Sequence, residues 1–390
     1  MLTTGISRLS FSAFRNYSQL QVDLHSPLIV ILGDNGAGKT NILEGLSLLS
    51  PGKGLRSSKL SQMSTLTSGS TPSQNWTVAA NLKDDNMDIM LGTGLDHTSS
   101  GSEKRRIKIN GLPVRSQAEF SQYLNIVWIV PSMARLFQES SSIRRKFVDR
   151  MVYAFDDGHA DRLHRYEHYL RERSTLLREG RGDPQWLSSL EKNLAEDGIA
   201  IALARTEVVR TLTTHQPNDA LSPFPRFFAQ MKGDVEEWCR QMPAIAAEEK
   251  LCQALAANRL QDSYTGGSAF GPHRSDLFVN HLAKQMPAEL CSTGEQKMLL
   301  IALTLSFAKI LINQNNKVTL MLLDDVIAHL DTHHRDYLFE ELCQMIEKGA
   351  KLQTWMTGTS ATDFVYLKQY AQYTTIKNTT LYDGYDDNDS

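Results

Sequence analysis

The clearest pattern along the chain is an unbroken apolar run, Leu28-Ile29-Val30-Ile31-Leu32, followed by a glycine-rich stretch and then by Ile42, Leu43, Leu46 and Leu49 at helical spacing. Such a run predicts a strand buried on both faces, as in a parallel sheet. The spacing after it predicts a helix, which Pro51-Gly52 stops. Upstream, Ile6, Leu9, Phe11, Phe14, Leu20, Val22 and Leu24 alternate weakly and predict two strands, with a turn at Asn16-Tyr17-Ser18. Residues 76–91 and 106–109 predict further strands, with Asn110-Gly111 as a tight hairpin turn, and 125–130 is another apolar run closed by Pro131. Residues 50–75, rich in Ser, Thr, Gly and Lys, read as a mobile loop.

The period changes from about residue 140 to 258. Leu187, Leu190, Leu194, Ile201, Ala204, Val208 and Leu212 form a long stripe at three- and four-residue steps. Leu163, Tyr166, Leu170 and Leu177 form a shorter one that Arg173 interrupts. Asp183-Pro184 separates the two and suits a helix start. These stripes predict core packing between antiparallel helices. A mixed pattern returns at Phe270 and runs to about Leu381. The expected organisation is a core in two halves, 1–138 and 265–382, split by an inserted helical lobe, 139–264. An acidic tail, 383–390, with Asp383, Asp386, Asp387 and Asp389, is expected to be disordered.

The glycine-rich stretch carries chemistry. Gly33-Asp34-Asn35-Gly36-Ala37-Gly38-Lys39-Thr40 fits G-x-x-x-x-G-K-[ST] without a mismatch, between a predicted strand and a predicted helix. In such a loop backbone N–H groups converge on phosphate oxygens and the helix dipole adds to them. Lys39 is expected to reach the terminal phosphates of ATP, and Thr40 to hold Mg²⁺ through its hydroxyl. A second apolar strand, Thr319-Leu320-Met321-Leu322-Leu323, ends in Asp324-Asp325. Asp324 is the expected magnesium acid and Asp325 the expected general base. Ser292 and Glu295 make a capping box at the start of an almost unbroken apolar helix, 298–312. That helix start is read as a cap or, with Gly294, as a seat for a γ-phosphate.

The order of these elements, ending in Leu330-Asp331, resembles that of ABC-type ATPases, in which the serine helix completes the nucleotide site of the opposite subunit. Phe14-Arg15-Asn16-Tyr17, the phosphate-loop block through Glu44, Arg144-Arg145-Lys146-Phe147-Val148-Asp149, Gly271-Pro272-His273-Arg274-Ser275-Asp276 and 322–331 narrow the resemblance to the RecF family. The resemblance implies an α/β fold: an ABC-type P-loop ATPase head with a mixed-sheet core and an inserted α-helical lobe. It also implies weak, DNA-stimulated ATP hydrolysis, an ATP-dependent homodimer, and binding to DNA at single-strand gaps and single-strand/double-strand junctions, where RecO and RecR help load RecA. Arg15 and Tyr17 stay open as neighbours of adenine. Ser132-Met133 where the family usually has acids, Ser275 in place of an acid, and Glu295 in place of Gln depart from the pattern.

Composition adds limits. No apolar run reaches membrane-spanning length, and four scattered cysteines without a C-x-x-C pair suit a reduced, cytoplasmic protein. The net charge of −3 confines any DNA surface to local patches. Two basic clusters qualify: Arg105 and Arg106 with Lys104 and Lys108, and the arginines of 135–181, among them Arg144, Arg145, Arg162 and Arg165. Acids interleave the second cluster, so a salt-bridged solvent face competes with phosphate contact. An ABC-type transport ATPase is the alternative reading. The helical insert and the lack of a switch histidine in 353–357 speak against it.

Overall fold

The computed structural model describes residues 2–65, 75–85, 87–97, 103–180, 183–216, 222–314, 316–377 and 379–384. It divides into two units: Met1–Ala134, Asp219–Phe224 and Phe307–Ser390 form the first, and Arg135–Asn218 and Pro225–Ser306 the second.

The first unit begins with the predicted hairpin, β1 (Thr4–Phe14) and β2 (Tyr17–Asp23). Its turn is at Arg15-Asn16, one residue earlier than the pattern suggested, and Arg15 takes a left-handed φ of +55°. The apolar run is β3 (Leu28–Gly33), and the helix after the glycines is α1 (Lys39–Ser47). The apolar stretch at 76–91 is cut in two, β4 (Thr77–Asp84) and β5 (Met87–His97), because polar residues around Asp85 make a turn. Strand β6 (Glu103–Ile109) meets β7 (Leu112–Pro113) across Asn110-Gly111, both at positive φ as the tight turn requires. These strands form an antiparallel sheet in the order β2-β1-β4-β5-β6-β7.

Strand β8 (Leu124–Ile129) belongs to a second sheet with β12 (Val318–Leu323), β13 (Leu352–Gly358), β14 (Ala371–Lys377) and β15 (Thr380–Asp383). Its order is β15-β14-β3-β13-β12-β8, parallel except for β15. Ile29 and Ile31 of β3 and Leu320 and Leu322 of β12 share one core with Leu9, Phe11, Val78 and Leu82 of the antiparallel sheet. Asp383, expected to open a disordered tail, is the last residue of β15, and 385–390 lie outside the described residues.

The second unit holds α2 (Ser141–Val152), α3 (His159–Glu179), α4 (Pro184–Thr214), α5 (Asp234–Gln241), α6 (Ala244–Ala257) and α7 (Arg259–Thr265). Asp183 caps α4 by accepting from the Gln185 N–H, and Leu187, Leu190, Leu194, Ile201, Val208 and Leu212 are buried along it. The ion pairs Arg165–Asp197 and Arg173–Glu191 show α3 and α4 running antiparallel. Arg173 does not break its stripe. It is 1% exposed and donates to Glu191, Asp262 and the Leu255 carbonyl, so its charge is buried fully paired. The reading of 140–258 as wholly helical is corrected at β9 (Phe227–Lys232), where buried Phe227, Ala229 and Met231 alternate with less buried neighbours. That strand pairs with β10 (Asp276–His281), which also carries β11 (Met286–Pro287). Helix α8 (Thr293–Gln314) follows, and α9 (Thr332–Glu347) lies between β12 and β13.

Polar side chains join the two sheets of the first unit, among them Gln353 and Gln372. Gln353 of β13, fully buried, donates from Nε2 to the Ile6 carbonyl (3.0 Å) and accepts the Ile6 N–H on Oε1 (2.9 Å), as a strand neighbour would. Gly5 (φ +125°) makes room for it, since a Cβ there would stand 2.9 Å from the amide carbon. Gln353→Leu would leave both Ile6 backbone groups buried and unpaired. It is expected to destabilise the protein by about 2–3 kcal/mol, read as a lowered urea midpoint.

Candidate functional site

Strand β3 delivers the phosphate loop. Asp34, Asn35 and Gly36 form its exposed crest, Ala37 is half-buried, and Gly33 ends the strand. Gly38 caps α1 without offering a side-chain acceptor, so the first N–H groups of the helix stay open to an anion. Its φ of +114° favours glycine, and a Cβ there would stand 2.6 Å from the Tyr17 hydroxyl. Lys39 folds back across the loop and donates from Nζ to the carbonyls of Gly33 (2.5 Å) and Asp34 (3.0 Å). Burial lowers its pKa, against the opposing charges of Asp325, Asp324 and Asp34.

The parallel sheet brings the acids to the same end. Strand β13 lies between β3 and β12, so Asp324 at the end of β12 comes within reach of α1. The Thr40 hydroxyl lies 3.0 and 2.9 Å from the two Asp324 oxygens, and Thr357 Oγ1 donates to Oδ1 at 2.9 Å. Asp324 is 4% exposed. Burial raises its pKa, while the two hydroxyls pull it down. Asp325 is half-buried in the left-handed region (φ +51°), and its N–H donates to Thr357 Oγ1 (2.9 Å). The structure thus brings Lys39, Thr40, Asp324 and Asp325 together. Pattern reading passed over Thr357, although it ends an apolar strand at the same sheet end.

The β1–β2 turn supports the loop from below. Asn16 donates to the Ala37 carbonyl (3.1 Å) and accepts from Asn41 (2.7 Å), and the Tyr17 hydroxyl donates to the Gly38 carbonyl (3.2 Å). Arg15 makes a two-pronged pair with Glu44, a carboxylate fully buried within α1, and Arg56 approaches the same acid. Arg15 and Tyr17 are therefore occupied beneath the loop. Burial holds the Tyr17 phenol above its ordinary pKa. Glu44, a charge amid apolar helix positions, was the sequence signal for such a buried pair.

A family described as "RecF/RecN/SMC N terminal domain" matches residues 5–378 of the chain. The DNA replication and repair protein RecF of Mesorhizobium japonicum is 40% identical over 381 residues, which is 97% of each chain. The chain belongs to the RecF family. Among solved structures, one described as the "recombination mediator protein RecF-ATPrS in RecFOR pathway" matches with a TM-score of 0.82 at 22% identity, covering 98% of this chain and 100% of that one. An Smc head domain from Pyrococcus furiosus matches with a TM-score of 0.52 at 15% identity, covering 97% and 96%. These likenesses show the fold, an α/β ATPase head of the ABC type.

The remaining family blocks lie in the second unit. Ser292 and Glu295 form the expected reciprocal cap: the Ser292 N–H donates to Glu295 (2.9 Å) and the Glu295 N–H approaches Ser292 Oγ (3.4 Å). Hydrogen bonds from Lys284 and Ser292 bring the Glu295 pKa down to about 2. Ser292 and Gly294 are both exposed, and a Cβ on Gly294 would meet nothing within 4 Å.

The candidate arginines all have partners within the chain. Arg144 is clamped on Asp276 (2.6 and 2.7 Å) and on the carbonyls of Phe137 and Glu139. Arg145, half-buried, donates to Ser141 and to the Ser275 carbonyl. Both tie α2 to the start of β10 and the residue before it. The neighbouring Arg205 grips Asp149 with two prongs and donates to the Pro272 carbonyl, which completes the link between the two blocks. Ser275 is fully buried on Glu236 (2.5 Å), and an acid there would face that carboxylate at close range. Arg105 spends every guanidinium nitrogen internally, on Thr93, on Gln117 and the Gly52 carbonyl, and on the Leu48 carbonyl past the end of α1. Burial pushes its pKa down to about 10. Arg106 pairs with Asp96 but its side chain is 65% exposed; Arg162 pairs with Asp156, and Arg165, 51% exposed, with Asp197. Arg105→Ala is expected to destabilise the protein by about 2 kcal/mol, whereas Arg106→Ala leaves the midpoint of unfolding in place, compared side by side by calorimetry.

Proposed function

We propose that this protein is an ATP-dependent, DNA-binding recombination mediator, an ATPase used as a switch. It acts in the cytoplasm at single-strand gaps and single-strand/double-strand junctions, with RecO and RecR, to help load RecA. The observation that carries the nucleotide reading is the meeting of Lys39, Thr40 and Asp324 at one sheet end. Membership of the RecF family supports the rest, as does likeness to structures whose descriptions name RecF with ATP or with ATPrS.

In this reading the N–H groups of Gly33, Asp34, Asn35, Gly36, Ala37 and Gly38 wrap the phosphates of ATP, and Lys39 Nζ exchanges its loop carbonyls for phosphate oxygens. Thr40 and Asp324 are adjacent hard oxygen donors, and they would hold Mg²⁺. Bound there, the cation would stabilise charge on the phosphate oxygens. Asp325 takes the proton of the attacking water. Ser292 and Gly294 receive the γ-phosphate held by a second subunit. The open space over Gly294 supports this, because nothing in the described chain calls for glycine there. The resulting two-fold interface is isologous. For DNA, the outward residues Lys104, Arg106 and Lys108 of β6 remain, on the face they share with Gly92 and Gly94, together with Arg162 and Arg165.

Lys39→Met is expected to weaken ATP binding in calorimetry; unchanged affinity removes the phosphate-loop assignment. Asp325→Asn keeps ATP bound but slows turnover by about 10²-fold or more. Wild-type turnover in that variant assigns the base elsewhere. Under non-hydrolysing conditions ATP converts monomer to dimer and ADP does so poorly. Ser292→Arg blocks the dimer while ATP still binds. An ATP-dependent dimer of Ser292→Arg in the ultracentrifuge would reduce Ser292 to a helix cap.

A further inference from the structure

Thr357 is a buried residue that touches both acids of the site at once. Its hydroxyl has one proton, and that proton goes to Asp324 Oδ1 (2.9 Å). Its oxygen accepts the Asp325 N–H (2.9 Å). The two bonds do different things. The first fixes the rotation of a carboxylate whose other contact is the Thr40 hydroxyl. The second holds the peptide that leads into Asp325, a residue in the sparsely populated left-handed region (φ +51°). A left-handed non-glycine residue persists only where its surroundings over-determine it, and this bond is one of the contacts that hold the peptide.

Thr357 can reach both acids because β13 runs between β3 and β12 and its end is level with theirs: Thr357 lies beside Ile31 of β3, and Met356 beside Leu323 of β12. It is fully buried, so water does not replace it easily. The same strand provides a contrast. Thr354, also fully buried, has a hydroxyl with no hydrogen-bond partner among the described residues. A threonine on β13 is therefore not by itself a polar anchor; the one at the strand end is.

We infer that Thr357 is a positioning residue for ATP hydrolysis, one hydroxyl that sets the Asp324 carboxylate for the cation shell and aims Asp325 at the water. This rests on the ATPase reading above. The two hydrogen bonds of the Thr357 hydroxyl go to the acids and their backbone. It acts through the two acids, so its loss costs turnover and the Mg²⁺-dependent part of ATP affinity, and leaves Mg²⁺-free ATP binding to the loop unchanged.

The test uses the full chain and the variants Thr357→Val, Thr357→Ala, Thr357→Ser and Thr354→Val. ATP affinity is measured by calorimetry with Mg²⁺ and with a chelator, kcat and KM by steady-state hydrolysis, and folding by thermal unfolding. Thr357→Val is expected to lose about tenfold or more in kcat and most of the gain in ATP affinity that Mg²⁺ confers, with chelator-condition affinity unchanged. Thr357→Ala does the same and serves if the valine variant does not fold. Thr357→Ser, which keeps the hydroxyl, restores both readouts, and Thr354→Val matches wild type. Wild-type kcat and wild-type Mg²⁺ gain in a folded Thr357→Val or Thr357→Ala protein overturn the inference. So does a serine variant as poor as the alanine one, or a Thr354→Val protein that loses as much. Failure of the wild-type chain to bind ATP at all is a separate result, seen before any variant is compared, and it overturns the function proposed above.

Discussion

Asp324 is where the first unit converges. Its carboxylate accepts from Thr40, 284 residues before it, and from Thr357, 33 residues after it. Three parallel strands must end level with one another for that to happen, and the order β3-β13-β12 provides it. A buried carboxylate with only one of these donors would sit in a poorer environment for its charge, because burial already raises its pKa. Sheet order and polar chemistry are thus the same constraint. A register change in β13 would move Thr357 away from both acids and turn its side chain to the other face.

The loop that faces this acid is held by a second polar system, on the opposite side. Asn16 and Tyr17 bond to the carbonyls of Ala37 and Gly38, and Arg15 bonds to Glu44 one turn into α1. Three consecutive residues at the turn and the start of β2 thereby bond to the end of the loop and the first turns of the helix. Gln353 carries the support further, since it joins β13 to the strand from which that turn emerges. A loop held in this way leaves its crest, Asp34 to Gly36, exposed, while its base is hydrogen-bonded. That division suits a site in which backbone N–H groups must already point the right way when an anion arrives.

Several arginines are held in pairs with carboxylates, some of them fully buried. Arg173 with Glu191 and Asp262, Arg205 with Asp149, Arg144 with Asp276 and Arg15 with Glu44 all use the planar fork to satisfy a carboxylate. In the second unit these pairs link segments far apart in sequence. The Arg144 and Gly271 blocks are joined in this way by Arg144, Arg145 and Arg205.

The sequence by itself determined the elements whose signal is local. The phosphate loop, its strand and helix, the acid-ended strand, the Ser292–Glu295 cap, the Asp183 helix start and the Asn110-Gly111 turn all follow from residues within a few positions of one another. Lys39, Thr40, Asp324 and Asp325 could be singled out in this way, because a glycine pattern and an acidic strand end are short-range signals. Only the tertiary structure decided what depends on partners distant in sequence. A basic cluster does not show whether Arg105 will point outward or be spent on Leu48 and Gln117, and an apolar strand does not show which of its threonines will find an acid. Strand β9 was hidden for a related reason: six residues of period two are a weak signal inside a long helical pattern, and they became a strand because β10 supplied the hydrogen bonds. Hydrogen bonding of buried polar groups is settled by neighbours across the fold, and those neighbours are what a linear pattern leaves out.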